Sequence, residues 1–106
     1  MNPHDAIDEI IEHSGKFAAA KADRVFIEEF RKSKKALLMK ESKATSSVAQ
    51  ERDAYAHPEY LALLYGLKSA IEQEELLKWK LVASEARIEV WRTIQANNRN
   101  QDRLMK

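Results

Sequence analysis

Residues 58–98, PEYLALLYGLKSAIEQEELLKWKLVASEARIEVWRTIQANN, decide the fold. After Pro58 the stretch holds no proline and a single glycine, Gly66. As one helix it would be roughly 60 Å long at about 1.5 Å per residue. A chain of 106 residues cannot enclose such a rod. The reading is therefore a long helix lying against another long helix or another chain, an elongated scaffold rather than a pocketed enzyme. Leu63, Leu67, Ala70, Glu74, Leu77, Leu81, Ser84, Ile88, Trp91 and Gln95 alternate steps of four and three, a coiled-coil-like seam with polar interruptions at Glu74 and Ser84. Glu74 sits on that seam, where it would meet Lys or Arg from the opposing helix and fix register. In the second half, Leu76, Trp79, Ala83, Ala86, Val90 and Ile94 fall on a separate apolar arc. One partner helix covers one arc only, so the second arc calls for another helix or a second subunit. Trp79, Ala83, Ala86, Val90 and Ile94 are thus the candidate oligomer or partner interface, and a homo-oligomer, dimer or higher, is expected.

Upstream, His57 precedes Pro58 and is pushed out of helical geometry, so the long helix starts at Pro58. Ser47 with Gln50 fits a capping box for a short helix reaching about Ala56. From Lys16 to Lys43, Ala19, Asp23, Phe26, Phe30, Ser33, Leu37 and Lys40 form one stripe, with Ala20, Ile27 and Leu38 beside it. Together they predict one broad apolar helix face. At the start, Asn2 is a good N-cap, Pro3 suits the first helical position, and Asp5 and Asp8 favour the early turns. Ser14-Gly15 is a plausible break after His13, and a stop or a continuous helix both stay open. Beyond Ile94 the apolar signal ends, and residues 99–106 are expected to fray. The fold class is all-α: one helical domain over residues 1–106, an antiparallel long-helix hairpin with a short connector helix.

Composition narrows the function. Two glycines and two prolines are too few for an all-β fold. The absence of cysteine excludes disulfides and thiolate metal sites. No apolar stretch approaches the ~20 residues of a membrane span. The N-terminus lacks the basic and apolar segments of a signal peptide, so no membrane association and a cytoplasmic location are expected. The formal net charge of +1 hides an uneven spread. Residues 1–15 carry four acids and no Lys or Arg, residues 16–43 carry nine bases against four acids, and residues 44–106 balance.

The basic run Arg31, Lys32, Lys34 and Lys35, extended by Lys40 and Lys43, is the candidate nucleic-acid-binding face. Several cations within two turns bind phosphates by releasing counterions. The competing reading is a solvated helix face whose lysines pair with acids such as Glu28 and Glu29. Trp79 and Trp91, with Tyr55, Tyr60 and Tyr65, offer stacking surfaces, although aromatics at helical spacing more often serve a core or an interface. Asp5, Glu9 and His13 share one helix face, but nothing else supplies the converging ligands that a metal needs. No metal, no cofactor and no catalytic residue are expected, since neither a phosphate loop nor a nucleophile–base arrangement can be read.

The segments EFRKSKKALLM (29–39), ERDAYAHPEY (51–60) and ARIEVWR (86–92) resemble stretches of small helical proteins of tailed bacteriophages and prophages. The resemblance covers about Lys16 to Asn98. It carries no assigned reaction and no catalytic residues. What it implies is context: a phage protein made in a bacterial cytoplasm, from a region encoding DNA replication and recombination functions. The resulting expectation is a non-catalytic accessory protein binding nucleic acid, or acting within such a complex, through its basic helix face. On that reading, reversing Lys34 and Lys35 to Glu abolishes binding and leaves helicity intact. The alternative is a protein-binding adaptor, or an inhibitor of a host enzyme, using its helical surface.

Overall fold

Asn2 opens the first helix through its side chain, which accepts the His4 amide at 2.9 Å, and its carbonyl, which accepts the Asp5 amide. The computed structural model describes residues 2–105, arranged as α1 (Pro3–Glu41), α2 (Ser47–Ala56) and α3 (Pro58–Met105). Among the described residues there is no strand. α1 is continuous through Ser14-Gly15. The Ser14 hydroxyl folds back to donate to the Ile11 carbonyl at 3.1 Å, and no glycine takes a positive φ, so Gly15 does not act as a left-handed terminator. The helix stops at Glu41, two residues short of the expected end. There Ser42 donates its hydroxyl to Asp53 at 2.7 Å and accepts the Ala44 amide at 3.1 Å.

The cap of α2 lies one residue earlier than its sequence pattern indicates. Ser46, extended at φ −97° and ψ 148°, accepts the Ala49 amide, which leaves Gln50 free to donate its side-chain amide to the Ala44 carbonyl at 3.0 Å. α2 ends at Ala56 as expected, and one residue, His57, separates it from α3. His57 is extended (φ −69°, ψ 135°), as the following proline demands. Its Nδ1 accepts the Glu59 amide at 3.0 Å, and its carbonyl accepts the Tyr60 and Leu61 amides. With 48 residues, α3 is roughly 72 Å long. It continues to Met105 through the polar segment for which fraying was expected.

The contacts gather into two compact units. Ala19–Glu74 contains the later part of α1, all of α2 and the start of α3. Leu38, Ala54 and Tyr60 form its core, with Met39 and Leu64 packed against them. On α3 the seam residues Leu63, Leu67, Ala70 and Glu74 are buried or half-buried, as the alternation predicts. On α1 the buried stripe is not the predicted main one. Ala19, Asp23, Phe26, Phe30, Ser33, Leu37 and Lys40 are exposed, whereas Ala20 and Leu38 are buried and Arg24, Ile27 and Lys34 half-buried. Charge explains the shift. The Arg24 guanidinium grips Glu74 through Nε to Oε2 and through Nη2 to Oε1 (3.1 Å), and its Nη1 donates to Glu28 at 2.9 Å. Lys34 pairs with Glu59 at 2.9 Å. Two cations therefore occupy seam positions that an apolar count passes over.

The other unit joins the chain up to Ala18 with the chain from Glu75 onward. Ala6, Leu77 and Ser84 are buried, and Leu81, Ile88 and Trp91 half-buried, so the seam continues. The Ser84 hydroxyl lies 3.0 Å from the Glu9 carboxylate and 3.1 Å from the Lys80 carbonyl, and its one proton serves one of them at a time. Arg87 also donates to Glu9. A polar seam position at only 2% exposure is thereby satisfied. Lys16 pairs with Glu12 along α1, where both side chains stay in water and the pair contributes little.

Two outcomes follow from this packing. A Cβ at Gly15 would meet nothing within 4 Å, so Gly15→Ala should raise stability by about 0.5–1 kcal/mol. Loss of stability in thermal unfolding followed by circular dichroism would show that the helix breaks there. Glu74→Gln should lower the midpoint in chemical denaturation by removing one of the two carboxylates that hold Arg24, and an unchanged midpoint would remove this pair from the account of register.

Candidate functional site

The six cations of the expected basic face have different surroundings. Lys34 lies against Glu59 of α3 with its side chain only 24% exposed, and Lys35 donates to Glu51 of α2 at 3.1 Å. Lys35 also sits 4.8 Å from the centre of the Tyr55 ring. Both lysines tie α1 to its neighbours. Lys32 pairs with Glu29 at 3.3 Å, with both side chains largely in water. Arg31, Lys40 and Lys43 are exposed and make no hydrogen bond or ion pair to another described residue. Reversing Lys34 and Lys35 would thus set carboxylates against Glu59 and Glu51, so that variant changes inter-helix pairing together with surface charge. Substitution at Arg31, Lys40 and Lys43 is what separates phosphate contact from folding.

Electrostatics in this region are set by those pairs. The Tyr55 hydroxyl and then Glu51 hold the Lys35 ammonium above its usual value of 10.5. The Lys34 hydrogen bond and charge hold the Glu59 carboxyl below its usual 4.5. A raised lysine contributes stability that is lost as pH rises through its folded value. A depressed carboxylate contributes stability that is lost as pH falls through its folded value. Both contributions are therefore present across the neutral range.

A second region is apolar. Trp79, Ala83, Ala86, Val90 and Ile94, with Leu76, are all exposed on α3, and Trp79 reaches 59% exposure. The Trp79 indole N–H donates to Glu75 at 3.2 Å, and Lys78 lies 5.5 Å from its ring centre, so the side chain is held along its own helix. Trp91, on the seam, is half-buried. On α1, Phe26 and Phe30 stack with ring centres 6.0 Å apart, and Phe26 is 66% exposed. Phe30 also borders a groove of about 480 Å³ with Ile27, Lys34, Glu59, Leu63 and Gly66.

Sequence reasoning missed a third arrangement. Arg31, Lys32 and Lys35 of α1 meet Tyr55 of α2 and Tyr60 of α3 around a cavity of about 390 Å³. Tyr55 and Tyr60 contact edge to face, with centres 5.3 Å apart and planes at 70°. The signal that could have found it is the RKSKK run together with the tyrosines flanking His57-Pro58, two features that only the α2–α3 junction brings together. Of the remaining aromatics, Tyr65 is exposed. Asp5, Glu9 and His13 do share a face of α1, but Glu9 is taken by Ser84 and Arg87.

In an NMR titration the Glu59 carboxyl should have a midpoint below 4.5 that returns toward 4.5 in Lys34→Gln; a midpoint indifferent to that substitution would dismiss the pair as a solution contact. Among the described residues, no helix is long and apolar enough to cross a membrane. Comparison with family models, with curated proteins and with solved structures found no match to this chain.

Proposed function

We propose that this chain is a non-catalytic interaction protein, an antiparallel long-helix hairpin that associates with a second copy through the exposed α3 arc and presents the assembled surface to a protein partner. One observation carries the reading. The α3 seam from Leu63 to Gln95 is buried or half-buried throughout, while the arc of Trp79, Ala83, Ala86, Val90 and Ile94 is exposed throughout. Among the described residues seven apolar side chains are buried, whereas eighteen large apolar ones are exposed. A core this small is marginal for a chain of 106 residues, and a second copy laid along the arc would enlarge it. A contiguous apolar face of this kind marks a protein interaction site.

Nucleic acid is the second reading. It is favoured by Arg31, Lys40 and Lys43, three exposed cations whose charge no described residue neutralises. Binding through them would be to phosphate, without sequence readout. The setting we propose is the bacterial cytoplasm, as a phage-encoded accessory protein, and the three resembling segments are its support.

Sedimentation equilibrium should give a dimer or larger species, with an unfolding temperature that rises with protein concentration. Val90→Glu with Ile94→Glu should yield a monomer of lower, concentration-independent unfolding temperature. A wild-type monomer at all concentrations would end the self-association reading. For the second reading, fluorescence anisotropy with oligonucleotides should show affinity that falls steeply with salt and is lost in Arg31→Gln/Lys40→Gln/Lys43→Gln. Binding unchanged in that variant would discard the basic face.

A further inference from the structure

We infer that the cavity between Arg31, Lys32, Lys35, Tyr55 and Tyr60 is a binding site for a nucleoside phosphate, a phosphomonoester carrying a planar heterocycle. The inference needs neither self-association nor a phosphate track along α1, although it shares Arg31 with the second reading. At about 390 Å³ the cavity falls within the range of small-molecule sites.

Charge selects the phosphate. Three cations border the cavity. Lys35 is already balanced by Glu51 at 3.1 Å. Arg31 has no partner among the described residues, and the Lys32–Glu29 pair is open to water and weak. Two positive charges are therefore left for a ligand, matching a phosphomonoester of about −1.5 to −2 at neutral pH. Arg31 supplies the planar fork that suits phosphate oxygens, and Lys32 a second donor from the next position along the helix.

Rigidity selects the ring. Tyr60 is only 7% exposed and packed in the core with Leu38 and Ala54, so it is fixed in place. Its edge-to-face contact holds Tyr55, and the Lys35 ammonium sits over the Tyr55 ring. Tyr55 nevertheless remains 44% exposed, so a base would stack on the part of the ring that the Lys35 ammonium and Tyr60 leave open. Stacking on such a ring contributes about 1–3 kcal/mol for a nucleobase. A bare phosphate would leave that ring unused.

The test is amide NMR on the full chain, titrated separately with adenosine monophosphate, adenosine and inorganic phosphate. Saturable shifts around residues 31–35 and 55–60 are expected with the nucleotide, with adenosine and phosphate each weaker by about tenfold or more. Arg31→Gln/Lys32→Gln lies on the exposed side of α1 and should keep its circular dichroism while losing about tenfold or more in affinity. Tyr55→Ala should weaken the nucleotide and leave inorganic phosphate unaffected. A 5′-phosphorylated oligonucleotide that binds where its 5′-hydroxyl counterpart does not would assign the ligand to a strand end, and tighter binding of the free nucleotide would assign it to the small molecule. No saturable shift at millimolar nucleotide, or shifts that persist unchanged in Arg31→Gln/Lys32→Gln, would overturn the site.

Discussion

A helix has a full circumference of side chains, and a single neighbouring helix covers only one stripe of it. That limit governs this protein. α3 commits Leu63, Leu67, Leu77 and Ser84 to its covered stripe, and everything more than about a quarter turn away stays in water. α1 behaves in the same way: once Ala20 and Leu38 are covered, Phe26 and Leu37 are left outside. The exposed apolar surface is thus not an accident of loose packing. It is what remains when long helices are rich in apolar residues on more than one face and their neighbours within the chain cover only part of that circumference.

Polar residues on the covered stripes then decide which residue meets which. Arg24 with Glu74, Lys34 with Glu59 and Ser84 with Glu9 each join the two long helices, and each involves groups that are expensive to leave unpaired out of water. Hydrophobic contacts alone would tolerate sliding by a turn, because one leucine resembles another. A guanidinium fork on one carboxylate does not. The uneven charge along the sequence is resolved by the same contacts. Acid Glu9 from the acidic start meets Arg87, while the basic stretch of α1 meets Glu51, Glu59 and Glu74.

Much of the fold was legible because helical periodicity is a local property. The α3 seam, including the role of Glu74, could be read from spacing, as could the start of α3 at Pro58. The phase of α1 could not, because Arg24 and Lys34 occupy its covered stripe and become acceptable there only through Glu74 and Glu59, far away in sequence. Ser46 and Ser47 are equivalent caps by residue type, and the cap at Ser46 is accompanied by a tie from Gln50 to Ala44 that residue type does not announce. The basic face was visible as a run of residues. Which of its members are free was not, since Glu51 and Glu59 are brought to it by the turn into α2 and the turn into α3.

That second turn leaves almost no slack. Ala56 ends one helix, Pro58 begins the next, and His57 alone lies between them, tied by its ring to the Glu59 amide. One additional residue at this joint would lengthen the extended link and change how α3 leaves α2, disturbing the pairing of Leu63, Leu67, Ala70 and Glu74 together. The chain can therefore drift by substitution over most of its exposed surface, but not by length at this point. Across divergent copies, the distance from Ala54 to Glu74 would be kept even where few of the residues between them were.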